Sequence, residues 1–252
     1  MNNKPRILFY DIENSPNKLY DWDIRARKYP VHHNNIIEER KMISVSWKWR
    51  GVREVYTATW RKTKDGFDDS PVCLAIQEAF LSSDMAVAHF GDRHDRPFIN
   101  SRLVKNGLGT LPRILHEDTY KIARREFKFN SNRLDYLASY LGVGRKLKTE
   151  FDLWKKCLNG DPKALEKMVR YNRHDVYPLL QGVWEILAPY AKTKINYNLF
   201  SDSEILCSHC GSENYSKRGY NYSMNSIAQR YQCLDCKHWF SGPYKHSTTI
   251  RG

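Results

Sequence analysis

Near its amino end the chain has an apolar run from Ile7 that delivers two carboxylates, Asp11 and Glu13, and residues 6–12 are expected to form a strand. Side chains alternate between the faces of a β-strand, so acids two residues apart point the same way at or just past its end. Two like charges held together are costly unless a cation joins them. Carboxylate oxygens favour Mg²⁺ or Mn²⁺, so the run predicts a buried first strand with a hard-metal site at the mouth of a sheet. Taken alone, the pattern also fits a solvated turn.

Apolar periodicity along the rest of the chain predicts an alternation of strands and helices. Further strands are expected at residues 42–49, 55–59, 85–89 and 114–117, the first two forming a hairpin. Helices are expected to begin at Pro71, Asp95, Asp118, Asn132 and Pro162. The order β-β-β-α-β-α-β-α-α-α predicts an α/β fold in which helices flank a mixed sheet. Residues 14–40 show no clear period and are expected to cross the surface near Glu13.

The helix that begins at Pro162 carries a phenol and a carboxylate on one face, because Tyr171 lies four residues before Asp175. In isolation such a pair is typical of a protein surface. Pro178 cannot donate a hydrogen bond to the carbonyl of His174 and clashes with it. We therefore expect a kink or break one turn beyond Asp175.

A further acid is expected near the first strand. Asp95 follows the strand at 85–89 and begins a helix, which places it at a carboxyl end, where ligands collect in α/β sheets. Asp92, in the same loop, is its rival. Either carboxylate could instead be a helix N-cap.

The net charge of +13 and the pI of about 9.4 indicate an anionic partner. Residues 190–252 carry +4 of this charge, so the excess is spread along the chain, which favours a nucleic-acid-binding surface over a basic tail. A basic pI can also be only a solubility trait. Because no apolar run has membrane-spanning length and the N-terminus lacks a signal-peptide core, we expect a cytoplasmic protein (host cytoplasm if the source is viral) without a membrane partner.

Four stretches, taken in order, resemble the DEDD superfamily of 3′-to-5′ exonucleases, whose fold is ribonuclease H-like. They are DIENSP at residues 11–16, AHFGDRHDRPF at 88–98, NRLDYL at 132–137 and YNRHDV at 171–176. The resemblance covers residues 6–190 and is strongest to the stand-alone exonucleases of phage and bacterial type. It implies a ribonuclease H-like mixed sheet for a domain comprising residues 1–192.

Tyr171 matches the tyrosine subtype of this superfamily. In the histidine subtype an imidazole stands five residues before the last Asp, where this chain has Arg170. The chain departs from the family pattern in the second motif, with Phe90 where Asn is frequent and His94 where Phe is frequent. The motif's carboxylate, Asp95, is present.

The resemblance implies a two-metal phosphodiesterase site. Asp11, Glu13, Asp95 and Asp175 would hold two Mg²⁺ or Mn²⁺ ions. Tyr171 would orient the attacking water, because an unperturbed phenol, with a pKa near 10, is a poor base at neutral pH. Nucleoside 5′-monophosphates would be released from single-stranded or frayed 3′ ends, with DNA favoured over RNA. Candidate stacking and phosphate-binding residues in the 14–40 segment are Tyr20, Trp22, Tyr29, Arg25, Arg27 and Lys28.

After a linker at residues 193–202, the segment 203–252 contains two C-x-x-C pairs separated by 22 residues. This spacing places four thiolates around one structural Zn²⁺, without which so short a segment could not bury enough core. The ligands are expected to be Cys207, Cys210, Cys233 and Cys236, with His209 and His238 as alternatives. We therefore predict a small C-terminal zinc ribbon.

Residues 230–240 resemble zinc ribbons of the transposase type. Basic and aromatic residues interleave in this module, which suits nucleic-acid binding, at Lys217, Arg218, Tyr220, Tyr222 and Arg230. A ribbon that docks a replication or recombination protein would have a similar sequence. The alternatives to an exonuclease are a structure-selective endonuclease, an RNA-processing nuclease, or a nucleic-acid-binding accessory protein with a decayed site.

Overall fold

The computed structural model describes residues 5–21, 31–192, 195–200 and 205–246. The strands of the first two ranges are β1 (Ile7–Asn14), β2 (Lys18–Leu19), β3 (Ile36–Glu38), β4 (Met42–Trp49), β5 (Tyr56–Thr59), β6 (Arg61–Thr63), β7 (Gly66–Asp68), β8 (Met85–Ala88) and β9 (Leu115–Asp118). The helices are α1 (Ser70–Leu81), α2 (Asp95–Lys105), α3 (Thr119–Glu126), α4 (Leu134–Tyr140), α5 (Asp152–Leu158), α6 (Pro162–His174) and α7 (Gln181–Leu187).

A five-stranded sheet in the order β5-β4-β1-β8-β9 lies at the centre of this body. Strand β1 is antiparallel to β4 and parallel to β8, which is parallel to β9. Leu8 and Tyr10 pack with α1 and α2 on one face, and Phe9 packs with α3, α4 and α7 on the other. The first strand is therefore buried on both faces, and the predicted mixed α/β sheet flanked by helices is confirmed.

The hairpin predicted after residue 42 is formed by β4 and β5, with Val45 opposite Ala58. The sequence did not predict the second hairpin, β6 and β7, because strands of three residues are too short to show a period. Its position is set by packing, since Phe67 stacks on Trp60 with ring centroids 4.1 Å apart.

The segment at residues 14–40, for which no period was found, contains the short antiparallel pair β2 and β3. Lys18 and Glu38 form an ion pair of 2.8 Å across this pair. Tyr20 is 76% exposed and follows β2 directly. The other candidate stacking and phosphate-binding residues of this segment lie outside the described residues: Trp22, Arg25, Arg27, Lys28 and Tyr29.

The helix that begins at Pro162 breaks near Pro178, as the sequence predicts. A wider helical turn, Asp175–Leu180, follows α6, and within it Tyr177 leaves helical geometry with φ −143° and ψ 123°. The regular turns of α6 end at His174 and the break follows at Tyr177, so the Asp175 carboxylate lies at the junction of two helical segments. None of the helices in the described ranges is long and apolar enough to cross a membrane.

The C-terminal module is a three-stranded antiparallel sheet of β10 (Tyr215–Ser223), β11 (Ser226–Cys233) and β12 (Trp239–His246), in that order. We call residues 205–246 the ribbon. Its buried apolar cluster is small, with Cys207, Tyr231, Cys233 and Phe240 at its centre. So small a core needs an additional constraint to be stable.

Candidate functional site

Three of the four predicted acids meet at the carboxyl end of β1. Carboxylate oxygens of Asp11, Glu13 and Asp175 all lie within 4.8 Å of one another. Asp11 and Glu13 leave β1 on the same side, as residues two apart in a strand do. Asn172, fully buried on α6, donates from Nδ2 to Asp11 Oδ2 at 2.7 Å and thereby joins α6 to β1.

Asp95, the fourth predicted acid, lies beside this group without belonging to its tightest cluster. It is 4% exposed at the start of α2, and its charge raises the pKa of both Asp11 and Glu13. Its rival, Asp92, is occupied elsewhere, since Oδ1 lies 2.8 Å from Nδ1 of His116. The structure therefore places Asp95, and not Asp92, toward the acids of β1.

The loop that delivers Asp95 is held by Asp118. This residue caps α3, as the sequence predicts, by accepting a hydrogen bond from the backbone N–H of Tyr120 at 3.0 Å. The same carboxylate accepts from the backbone N–H of Phe90 at 2.8 Å and of Asp92 at 3.3 Å. Asp118 thus has a structural role in the described geometry and is directed at the loop.

The electrostatics of the acid cluster favour a bound cation. Burial, followed by repulsion from Asp175, raises the pKa of Asp11 well above its usual value and that of Glu13 to about 8. Asp175 is 1% exposed, and its Oδ1 is buried without a hydrogen-bond partner among the described residues. Clustered carboxylate oxygens, one of them buried with an unsatisfied lone pair, fit a hard divalent ion. The residues present therefore fit the expected metal site.

Lys146 supplies a positive charge to the cluster from within the chain. Its Nζ lies 2.6 Å from Asp175 Oδ2 and 3.3 Å from the hydroxyl of Tyr171. Burial alone would lower the pKa of Lys146, but attraction by Asp175 and Asp11 outweighs burial and raises it. Lys146 is therefore a permanent cation at the edge of the site.

Tyr171 lies on α6 beside the acid cluster, with its hydroxyl 3.3 Å from Lys146 Nζ. Burial, with the nearby charge of Asp175, raises the pKa of Tyr171 to about 12. The phenol is protonated at neutral pH and can act as a hydrogen-bond donor, not as a base.

Sequence reasoning missed Lys146 and Asn172. Lys146 belongs to the basic run at residues 145–148, which has no pattern that separates a site residue from solvated lysines. Asn172 stands beside Tyr171 in the last motif, and a polar residue on the buried side of a helix was the available signal. Both reach the acids only through tertiary contacts.

The four cysteines of the ribbon converge. Their sulfur atoms all lie within 4.8 Å of one another, with Cys207 and Cys236 at 3.6 Å and Cys210 and Cys233 at 3.7 Å. A tetrahedral site with metal–sulfur bonds of about 2.3 Å has sulfur–sulfur edges of about 3.8 Å. The cluster therefore has the dimensions of a tetrahedral thiolate metal site, and the thiols are not paired as disulfides.

The predicted nucleic-acid-binding residues of the ribbon are all exposed: Lys217, Arg218, Tyr220, Tyr222 and Arg230. The Arg230 guanidinium lies 5.6 Å from the ring centroid of Trp239, which is 50% exposed. Trp239 was not predicted as a surface residue. It adds a third exposed ring to those of Tyr220 and Tyr222, and it lies beside Arg230.

Comparison with known protein families matches residues 42–181 to the RNase_H superfamily. The match covers more than half of the chain, so the chain belongs to this superfamily, and the ribonuclease H-like fold is confirmed. This membership indicates a nuclease that acts on nucleic acid. No curated protein sequence matches the chain.

The fold is also similar to that of the family B DNA polymerase from the hyperthermophilic archaeon Pyrobaculum calidifontis, with a TM-score of 0.56 and 16% identity. The similarity covers 88% of this chain and 31% of the polymerase. The chain thus spans about a third of the length of that polymerase. At this identity the likeness supports the fold alone.

Proposed function

We propose that this protein is a metal-dependent 3′-to-5′ exonuclease of the tyrosine subtype, which hydrolyses single-stranded or frayed 3′ ends, with DNA favoured over RNA. The observation that carries this proposal is the convergence of Asp11, Glu13 and Asp175, whose carboxylate oxygens lie within 4.8 Å of one another. These acids come from positions up to 164 residues apart in a chain of the RNase_H superfamily. A purely structural role does not explain three mutually repelling carboxylates there.

Asp11, Glu13, Asp95 and Asp175 would hold two Mg²⁺ or Mn²⁺ ions. When bound, such ions supply Lewis acidity that activates a water molecule and stabilises charge on the departing 3′ oxygen. The chain's own contribution is to hold the four acids in place. Asn172 fixes the Asp11 carboxylate through the 2.7 Å hydrogen bond.

Tyr171 and Lys146 complete the proposed site on the α6 side. The protonated phenol can donate a hydrogen bond that orients the water or a phosphate oxygen, because its pKa of about 12 keeps the proton in place. Lys146 Nζ, 3.3 Å from that hydroxyl, holds the phenol beside Asp175. Its positive charge would stabilise a phosphate bound at the site.

In the ribbon, we assign one structural Zn²⁺ to Cys207, Cys210, Cys233 and Cys236. Support comes from the sulfur–sulfur distances of 3.6 and 3.7 Å, which match a tetrahedral Zn–thiolate site. The exposed basic and aromatic residues, Lys217, Arg218, Tyr220, Tyr222 and Arg230, would bind the nucleic-acid chain.

The products of a 5′-labelled 20-nucleotide strand test the reaction class. An exonuclease that starts at the 3′ end gives a ladder that shortens one nucleotide at a time with Mg²⁺ or Mn²⁺ present, together with nucleoside 5′-monophosphates. A covalently closed single-stranded circle is the control substrate, and it should stay intact. Cutting of the circle would instead support an endonuclease, and no metal-dependent cleavage of either substrate would support a binding protein.

A further inference from the structure

The ribbon packs against the amino ends of the central parallel strands, at the end of the sheet opposite the acid cluster. Ile7 and Met85 are paired neighbours at the amino ends of the parallel strands β1 and β8, whereas Asp11 lies toward the carboxyl end of β1. A small cavity at the junction is lined by Ile7 and Met85 together with His209 of the ribbon. The acids and the ribbon are therefore at opposite ends of the same strands.

Direct contacts hold the ribbon at this end of the sheet. His238, beside Trp239, donates from Nδ1 to the backbone carbonyl of Pro189 at 2.9 Å. Arg50, at the end of β4, forms a two-point ion pair with Glu185 of α7, with Nη2 2.6 Å from Oε2. The same guanidinium donates to the hydroxyl of Tyr197, which precedes the ribbon, at 3.1 Å. The ribbon thus has a defined position on the domain that carries the acid cluster.

The separation can be estimated from β1. Ile7 lies four residues before Asp11 and six before Glu13, which corresponds to about 13 and 20 Å at the rise of a strand. If the strand keeps the base spacing that it has in duplex DNA, about 3.4 Å per nucleotide, this distance equals about 4 to 6 nucleotides. A nucleotide held by the acids cannot also contact the ribbon.

One exposed face of the ribbon begins near the junction. Trp239 and the guanidinium of Arg230 lie together at the end closest to His238. Tyr220 and Tyr222, 49% and 75% exposed with ring centroids 6.2 Å apart, lie on the other face of the ribbon sheet, because Tyr220 pairs with Gln229, which alternates with Arg230 along β11. An exposed ring with a cation beside it suits a stacked base and its phosphate in a single strand, and the stacking requires no particular sequence.

We propose that the ribbon holds the substrate strand several nucleotides upstream of the 3′ end being hydrolysed, so that only strands longer than about 6 nucleotides reach it. The ligand is single-stranded nucleic acid, and Trp239 with Arg230 forms its first contact beyond the catalytic body. This proposal rests on the proposed exonuclease function. It predicts that a long strand binds more tightly than a short one only because the long strand also contacts the ribbon.

Binding of 5′-fluorescein-labelled 4-mer and 20-mer DNA, measured by anisotropy in an Asp175→Asn background that prevents turnover, tests this proposal. The double substitution Arg230→Ala with Trp239→Ala should raise the Kd for the 20-mer at least about tenfold, the loss expected for one base stack, and leave the Kd for the 4-mer unchanged. The matched control is Leu81→Ala with Lys105→Ala, which removes one exposed apolar group and one exposed cation from α1 and α2. It should change neither Kd. Zinc content of each variant checks that the ribbon is intact.

Two results would overturn the proposal. Equal loss for both lengths would place the ribbon at the 3′ end, and no loss for either would assign its exposed face to a protein partner. Because the measurement needs no turnover, it remains interpretable even if the wild-type protein fails to hydrolyse DNA. Failure of the proposed function would instead be seen as absence of metal-dependent products.

Discussion

Lys146 and Asp175 form an ion pair of 2.6 Å in which the carboxylate is 1% exposed and the lysine side chain 31% exposed. The pair joins the loop after α4 to the end of α6, and it places a fixed cation beside acids that repel one another. Its partners on either side, Tyr171 and Asp11, belong to the proposed catalytic group. We expect metal binding and stability of this protein to depend on how that cluster balances its charge.

Lys146→Met should destabilise the metal-free protein. The substitution leaves Asp175 buried without its counter-charge, which we expect to cost about 1–3 kcal/mol, less than for a fully buried pair because Lys146 is partly exposed. Saturating Mg²⁺ should recover much of the loss, since a divalent ion replaces the missing charge. Thermal unfolding with and without Mg²⁺ measures this. Equal loss in both conditions would mean that the lysine acts independently of the metal site.

The stability of the metal-free protein should fall as pH rises from about 5 to 8. Glu13 has a folded pKa of about 8 against an ordinary 4.5, so between these values the folded chain binds more protons than the unfolded chain. The raised pKa values of Asp11 and Asp175 have the same sign. Chemical denaturation across this pH range gives the slope, which Glu13→Gln should reduce. Stability that rises over the range would contradict the raised pKa values.

Asp95→Asn and Asp92→Asn should differ in their effect on hydrolysis. Because Asp95 faces the acids, Asp95→Asn should lower kcat at least about 100-fold, as expected for loss of a metal ligand. Asp92 Oδ1 lies 2.8 Å from His116 Nδ1, so Asp92→Asn should affect the rate only through the position of the loop. Single-turnover rates on one 3′-labelled strand compare the two. The reverse order of effects would mean that Asp92 is the ligand.

Cys233→Ser should remove zinc and with it the ribbon's contribution to binding. The slope of log affinity for single-stranded DNA against log salt concentration should become about 2 units less steep. Three cations are lost from the interface, and each contributes about 0.7 to the slope. Those cations are Lys217, Arg218 and Arg230. Elemental analysis and binding at several salt concentrations test this, with Cys73→Ser as the control thiol outside the cluster. An unchanged slope would indicate that the ribbon binds a protein.

Local patterns were sufficient for much of the fold. The two-residue period placed Asp11 and Glu13 on one side of a buried strand, the proline rule located the break after Asp175, and the cysteine spacing predicted the four-thiol cluster. Each of these features depends on residues close in sequence. The resemblance to a nuclease superfamily added which acids belong together.

What the sequence could not supply are the contacts between distant segments. Asn172 reaches Asp11 across 161 residues, and Lys146 reaches Asp175 from a loop with an ordinary basic composition. The position of the ribbon is of the same kind, since the contact of His238 with Pro189 spans 49 residues. Such contacts are set by how helices and strands pack, which periodicity does not reveal.

The most direct measurement is the rate of Mg²⁺-dependent mononucleotide release from a 3′-labelled single strand by three proteins: wild type, Asp175→Asn and the matched exposed control Asp152→Asn. We expect release by wild type and by Asp152→Asn at similar rates, and loss of release in Asp175→Asn with its DNA affinity retained. Release by Asp175→Asn at the wild-type rate would show that the acid cluster is not the active site.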